Sequence, residues 1–317
     1  MEAMVLAAGE GARLRPLTLL KPKPLFPLLN RPLLAWIFEA LSRFQVQRLI
    51  LNSHHLSEQI ETFLAQADQR DRFDDLQLLR EPVLLGTGGG IKNTEGFWRS
   101  DPFLVLNGDI FTDIDLSRAI EFHRKNQGPV TLVVQEYPSF NNLVVDEQGR
   151  IRELRAPFGG QWAFTGIHIL NREIFGYLPP LAYYDIIPVY QALIRNGIPL
   201  WAYRAKGPYW RDMGTLASYR ALHEDLLTGK TLPFFDPARG HEFSPPGWCL
   251  HPQARIEEGV RLEGWGAVGE NCRLGKGCHL RNTILWDRVT VREGVRIDGA
   301  IVSEDRVITD DLLGDIV

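Results

Sequence analysis

The sequence predicts an α/β protein, a doubly wound, mixed but mostly parallel sheet followed by a short parallel β-helix. Two observations carry this. Residues 1–226 alternate short apolar runs with helix-like segments. From Ala254 onward, small or branched apolar residues recur every six positions. The first pattern suits strands buried on both faces and joined by helical crossovers. The second suits stacked hexads, each forming one flat side of a coil.

The elements follow in order. Met4–Ala8 reads as a strand that stops at Gly9. Leu33–Phe44 reads as a helix with Leu34, Ile37, Phe38 and Leu41 on one face. Arg48–Asn52 is a second strand and Ser57–Ala67 a second helix, with Ser57 as its cap. Leu76–Leu79, Thr87–Glu95 and Phe103–Leu106 continue the alternation. Hairpin-like strands follow at Val130–Gln135, Leu143–Val145, Ile151–Leu154 and Trp162–Leu170, a plausible second ligand wall. Ligands of open parallel sheets bind beyond the strands' carboxyl ends. The turns at Gly9–Gly11, Gly86–Gly90 and Asn107–Asp109 all fall there.

Residues 228–248 are rich in proline and glycine without periodicity, which reads as a connection. The expected division is a first domain at 1–228, a linker at 229–250 and a β-helix at 251–317. The inner hexad columns are expected at Ala254, Val260, Gly266, Cys272, Cys278 and Ile284, and at Ile256, Leu262, Val268, Leu274, Leu280 and Trp286. After a one-residue slip they resume at Val289, Val295, Ile301 and Val307, with Val291 and Ile297. Cys272 and Cys278 then serve as small core hydrophobes.

Composition narrows the function. The chain has 317 residues, 35 lysines and arginines against 39 acids, and a net charge of −4. That balance argues against a nucleic-acid partner, which calls for a basic surface. With 44% hydrophobic and 23% charged residues, wholesale disorder is excluded. Three cysteines without C-x-x-C spacing build neither a disulfide scaffold nor a zinc quartet. The first apolar run is too short for a signal-peptide core, and no stretch approaches the ~18 apolar residues of a membrane span. A soluble, cytoplasmic protein with no membrane partner is expected.

The chemistry begins at Leu6-Ala7-Ala8-Gly9-Glu10-Gly11-Ala12-Arg13. A strand ends in a glycine turn followed by arginine, an arrangement whose backbone N–H groups can face an anion. Leu14 stands where a dinucleotide fingerprint needs glycine, and no G-K-S/T follows as in a P-loop. In Lys21-Pro22-Lys23-Pro24 the flanking prolines stiffen the chain around a lysine.

Together LAAGEGARLRPLT and KPKPLFPLLNRPLL closely resemble the N-terminal signature of the sugar nucleotidylyltransferases, or nucleoside-diphosphate-sugar pyrophosphorylases. The later motifs recur in order: Glu81 with Leu85–Gly90, Leu106–Asp109, Phe164–Ile167 and Tyr209–Thr215. The resemblance covers residues 1–226. The hexapeptide tail is similar to that of mannose-1-phosphate guanylyltransferase-like and glucose-1-phosphate-transferring members. The resemblance implies a Rossmann-like nucleotidyltransferase domain and a left-handed β-helix. It also implies transfer of a nucleotidyl group from an NTP to a sugar 1-phosphate, with release of pyrophosphate.

By that resemblance Arg13 and Lys23 bind the triphosphate and stabilise the leaving pyrophosphate, and Asp109 and Asp212 hold Mg²⁺. Leu6, Ala8, Gly9, Gly11, Glu81, Gly86, Thr87 and Gly108 line the nucleotide. Asn142, Glu153, Thr165 and Gly166 line the sugar phosphate. Bland readings stand beside these. Asn-Gly-Asp at 107–109 is also turn chemistry, Asp212 can pair with Arg211, and Glu153 with Arg152 or Arg155. The His54-His55 pair reads as structural rather than metal-binding.

The chain departs from the family pattern at Ala12, where threonine is usual. It also departs at Glu153-Leu154-Arg155-Ala156-Pro157, where the family has E-K-P, and at Asn141-Asn142, where it has Tyr-Gly. A carboxylate at Glu81, if aimed into the site, can accept two bonds and so matches the N1–H and N2–H₂ donors of guanine. That favours GTP, with UTP next, and the resemblance then implies mannose 1-phosphate as the sugar. Two alternatives come from other classes. One is a regulatory homologue that binds without turnover; the other is an acyltransferase using His279. The tail is expected to mediate homo-oligomer formation.

Overall fold

The computed structural model describes residues 1–156, 159–231, 242–243, 247–314 and 316–317. They form two compact units. The first comprises Met1–Gly11, Pro22–Pro24 and Leu34–Asp212, and the second Ala12–Lys21, Leu25–Leu33 and Met213–Val317. Pattern reading divides the chain at 228. Packing starts the second unit earlier and gives it two pieces of the N-terminal signature, because periodicity marks where hexads begin and not what rests on them.

The first unit is built on a seven-stranded sheet. In chain order its strands are β1 (Glu2–Leu6), β2 (Arg48–Ser53), β3 (Asp75–Arg80), β4 (Phe103–Asn107), β6 (Val130–Gln135), β7 (Ala163–Leu170) and β8 (Leu200–Arg204). Between β4 and β6 lies the short β5 (Ile110–Thr112), which pairs elsewhere with β9 (Trp210–Asp212). The sheet order is β8-β6-β7-β4-β1-β2-β3, and β7 alone runs against the rest. This is the mixed, mostly parallel, Rossmann-like sheet expected. Met4, Val105 and Leu132 are fully buried at its centre. Each such side chain contributes about 1.5–3 kcal/mol relative to exposure.

Crossover helices begin where the sequence supplies caps. Asp115 accepts from Ser117 N and Arg118 N ahead of the helix Leu116–Lys125. Asp185 accepts from Ile187 N ahead of the helix Ile186–Arg195. Ser57 is not a cap. Leu56 precedes the helix Ser57–Leu64 in a left-handed conformation, and the Ser57 hydroxyl bonds Ser53 Oγ at 2.7 Å.

The second unit holds the parallel β-helix. Arg255 pairs with Arg273, eighteen residues on. From Gly266 the spacing shortens to seventeen, with Gly266 opposite Thr283 and Ile284 opposite Ile301. The irregularity lies between Glu263 and Gly266. Losing one residue moves the inward column by one, as in any pleated strand. The coil core therefore contains Leu285, Val302 and Ile308, not the expected Ile284, Trp286, Ile301 and Val307. Val307 is exposed.

Cys272 and Cys278 lie in that core, and burial pushes the Cys272 thiol up to about 12. Trp248–Leu250 already pairs in parallel with Gly266–Val268, so the β-helix starts inside the expected linker. Most of the rest of that linker, at 232–241 and 244–246, lies outside the described residues. No helix among the described residues is long and apolar enough to cross a membrane.

Candidate active site

Strand β1 runs between β2 and β4. In the two ladders Leu6 faces an asparagine on each side, Asn52 and Asn107. Asn52 is a buried hub. Its Oδ1 accepts from Ala7 N at 2.8 Å, and its Nδ2 donates to Glu81 Oε1 at 2.7 Å. From the other flank, Gly108 N donates to Leu6 O at 2.8 Å. The turn that follows is thus held by its base and open at its tip. Ala8 is buried, whereas Gly9 is exposed, with nothing within 4 Å of where a Cβ would sit. Gly11 follows with a φ of 62°. Arg13 is exposed, on the single helical turn Ala12–Leu14 of the second unit.

The charged centre lies where β4 ends. Lys23 Nζ stands 2.5 Å from Asp109 Oδ2, and Lys23 is 8% exposed between its two prolines. Asp109 Oδ1 is buried and has no hydrogen-bond partner among the described residues. A buried carboxylate oxygen left bare is costly, so this atom is poised for a cation. The β5–β9 ribbon supplies a second carboxylate. Asp212 pairs opposite Ile110, the residue that follows Asp109. Asp109 and Asp212, from distant parts of the chain, thus lie at the same end of the ribbon in the backbone register.

That donor set fits Mg²⁺, which takes one or two protein carboxylates and fills its remaining positions with water and phosphate oxygens. Among the described residues no group of three or more His, Cys, Asp or Glu side chains is gathered for a metal.

The far end of the ribbon is locked. Tyr209 N donates to Asp113 Oδ1 at 2.5 Å, and Asp113 N donates to Tyr209 O at 3.1 Å. Burial holds the Asp113 carboxyl above its ordinary range. Trp210 Nε1 donates to Thr165 O at 2.8 Å, which ties the ribbon to an irregularity in β7. Gly166 sits there with φ +80°, and a Cβ on it would lie 2.7 Å from Asn107 Nδ2.

Several residues assigned to ligands from the sequence do other things. Glu81 is 2% exposed, and each oxygen of its carboxylate is engaged, Oε1 by Asn52 and Oε2 by Leu85 N at 3.0 Å. It is turned into the protein, so the free pair of acceptors required for reading guanine is not presented. His54 belongs to the same scaffold through Glu81 O, at 2.8 Å.

Thr87 donates to Asp185 Oδ1 at 3.0 Å and accepts from Ile186 N, clasping Gly86–Lys92 to the helix Ile186–Arg195. The neighbouring glycines serve that crossing. A Cβ on Gly86 would lie 2.6 Å from Tyr184 O, and one on Gly89 2.1 Å from Ala182 O. Burial pushes the Asp185 carboxyl up, but bonds from Ile187 N–H, Thr87 and Arg155 outweigh it and leave it below the ordinary range.

The Thr165 side chain is wholly buried and donates to Val133 O, so it does not face a ligand. Asn142 and Glu153 are exposed. The arginines beside Glu153 are paired with other acids, Arg152 with Asp146 and Arg155 with Asp185. Pro157 lies outside the described residues.

Sequence reasoning missed Asn52 and Asp185 as supports of the site. The signal for Asn52 was a polar residue closing an apolar strand, in register with Leu6. Asp185 left a weaker one, an acid just before an apolar helix.

The nucleotidyl transferase family matches residues 2–229. The chain belongs to that family. As a sugar nucleotidylyltransferase it falls in the enzyme class EC 2.7.7. It is 30% identical to the mannose-1-phosphate guanylyltransferase of Mycobacterium tuberculosis, over 94% of this chain and 83% of that one. It is 26% identical to the UTP–glucose-1-phosphate uridylyltransferase of a Synechocystis species, over 95% of this chain and 87% of that one. The fold is shared with HddC from Yersinia pseudotuberculosis, solved in complex with GMP-PN, at a TM-score of 0.60 and 23% identity. That match covers 70% of this chain and 97% of that one.

Proposed function

We propose that this nucleotidylyltransferase joins GTP to mannose 1-phosphate, releasing pyrophosphate, and does so around Lys23, Asp109 and Asp212. One observation carries the location. Lys23 pairs with Asp109, whose second oxygen is buried and bare, and Asp212 closes the same ribbon end. A cation and two carboxylates at one ribbon end suit a reaction that brings two polyanions together.

Nucleotidyl transfer is in-line attack of a sugar-phosphate oxygen on the α-phosphorus, and negative charge moves onto pyrophosphate. The task for the protein is positioning and charge neutralisation. Lys23 carries that charge, exchanging Asp109 for the phosphates, and Arg13 is assigned to the same task by family resemblance alone. The Gly9–Gly11 turn offers backbone donors, with no side chain at Gly9 in the way. Asp109 and Asp212 would hold Mg²⁺, which when bound supplies charge neutralisation at the phosphate oxygens. No general base is needed, since a sugar phosphate is already ionised near neutral pH.

The guanine and mannose assignment rests on the relative at 30% identity. The glucose and UTP reading is favoured by the relative at 26% over nearly the whole chain. With Glu81 turned inward, its carboxylate supports neither base. Pyrophosphate release separates the two readings, measured with GTP and UTP crossed against mannose and glucose 1-phosphates. Turnover with GTP and mannose 1-phosphate alone is expected; turnover with UTP and glucose 1-phosphate alone overturns the specific form. We further propose a cytoplasmic enzyme whose β-helix supports a homo-oligomer, the exposed Val307 and Leu313 of its last coil being the surface in favour. Sedimentation of the intact protein tests that assembly.

A further inference from the structure

The residues on either side of Lys23 pack within the second unit, on the β-helix and its adjoining helix. Lys21 Nζ stands 3.0 Å from Glu304 Oε2 and lies over the Trp286 ring, 5.8 Å from its centroid. Phe26 meets Trp286 edge-on at 4.9 Å and Tyr219 edge-on at 5.7 Å. Tyr219 Oη donates to Pro27 O at 2.5 Å and accepts from Trp286 Nε1 at 3.1 Å. Asn30 Nδ2 donates to Val268 O at 2.9 Å. Phe26, Tyr219 and Trp286 are essentially without exposure.

A hexad coil has no need of tryptophan at 286. The inward neighbour is Leu285, and Trp286 is excluded from the coil core. Its ring is instead occupied by Phe26, Tyr219 and Lys21. Glu304 likewise lies beyond the buried run Ile301–Ser303 and is shared by Lys21 and Arg288. The Trp286 ring serves the signature segment, and Glu304 serves that segment and the coil together.

We propose that Trp286 and Glu304 are positioning residues for nucleotidyl transfer. They hold Lys21 and Phe26, and the rigid Pro22 and Pro24 pass that restraint to Lys23. The two lysines of K-P-K-P thus divide the work, Lys21 anchoring the segment and Lys23 serving the charged centre. The inference rests on the reading of Lys23 as a triphosphate residue.

The test is steady-state kinetics on the full chain with Glu304→Gln, Lys21→Gln and the conservative Lys21→Arg. Lys23→Met runs beside them, and thermal melts check each fold. Both glutamine variants are partly exposed replacements that keep the core intact. Each is expected to raise KM for the NTP by about three- to tenfold, the scale of one partly buried ion pair or cation–π contact. KM for the sugar 1-phosphate should stay put, and Lys21→Arg, which keeps the cation over Trp286 and beside Glu304, should stay near the wild-type KM for the NTP.

A purely structural role would lower the amount of active enzyme and leave both KM values alone. Wild-type KM for the NTP in both glutamine variants, with Lys23→Met inactive, overturns the inference and leaves the site reading standing. Full activity in Lys23→Met overturns the site reading, and the inference with it.

Discussion

Lys23 Nζ and Asp109 Oδ2 stand 2.5 Å apart, although one side chain is assigned to phosphate and the other to a cation. The pairing keeps both near the end of β4 and spares each an uncompensated charge in a half-buried place. Substrate binding must replace this contact with two others. Lys23→Met and Asp109→Asn are therefore each expected to lower kcat by about 10²–10³, the scale of losing one preorganised charge contact. Circular dichroism should show both variants folded. Activity within a few-fold of wild type in either would place the chemistry elsewhere.

Glu81 makes a different prediction from a base-reading residue. In Glu81→Gln, an amide nitrogen must face either Asn52 Nδ2 or Leu85 N, both donors. The clash should cost about 1–3 kcal/mol, as for a buried unsatisfied group. Denaturant unfolding should report that loss, while the ratio of activities with GTP and UTP stays unchanged. A reversed nucleotide preference at wild-type stability would restore Glu81 to the base.

The glycines separate by the same logic. A Cβ on Gly89 meets the Ala182 carbonyl at 2.1 Å, so Gly89→Ala should destabilise the fold by about 1–3 kcal/mol through overpacking. A Cβ on Gly9 meets nothing. Gly9→Ala should melt like wild type and raise only KM for the NTP. Equal melting points for the two variants would contradict this division.

Two buried histidines set an acid limit. Burial holds His168 down to about 3 and His223 to about 4. Nδ1 of His168 bonds Tyr190 Oη, and Nδ1 of His223 bonds Tyr219 O. Below about pH 6.5 the unfolded chain binds protons that the fold refuses, so stability falls as pH drops toward 4. Each group contributes a slope of up to about 1.4 kcal/mol per pH unit in that window. Melting temperatures from pH 7 to 4.5 should decline accordingly, and His168→Gln should flatten the decline. A level profile would mean these histidines are protonated in the fold.

Much of this was legible in the residues. The run Met4–Ala8 and the strand before Asn107 have local apolar patterns, and the sheet holds both, with the first strand lying two residues earlier at Glu2–Leu6. The placing of Asp212 at the ribbon end next to which Asp109 lies depends on β5 and β9, three residues each, paired across about a hundred positions. Strands that short have no period to read. Side-chain direction was equally hidden. Glu81 and Thr165 lie in motifs that surround ligands, yet both point inward. The six-residue rhythm marked the β-helix, but the shortening of its coil at Glu263–Gly266 decided which of Ile284 and Leu285 faces the core.

The central claim is nucleotidyl transfer at the ribbon end shared by Asp109 and Asp212. Its most direct test is pyrophosphate release by wild type, Asp109→Asn and Asp212→Asn, with Mg²⁺ and a grid of NTPs and sugar 1-phosphates. Release by wild type with one pair of substrates, lost in both variants while their melting points hold, is the expected result. Release that survives in both variants would contradict it.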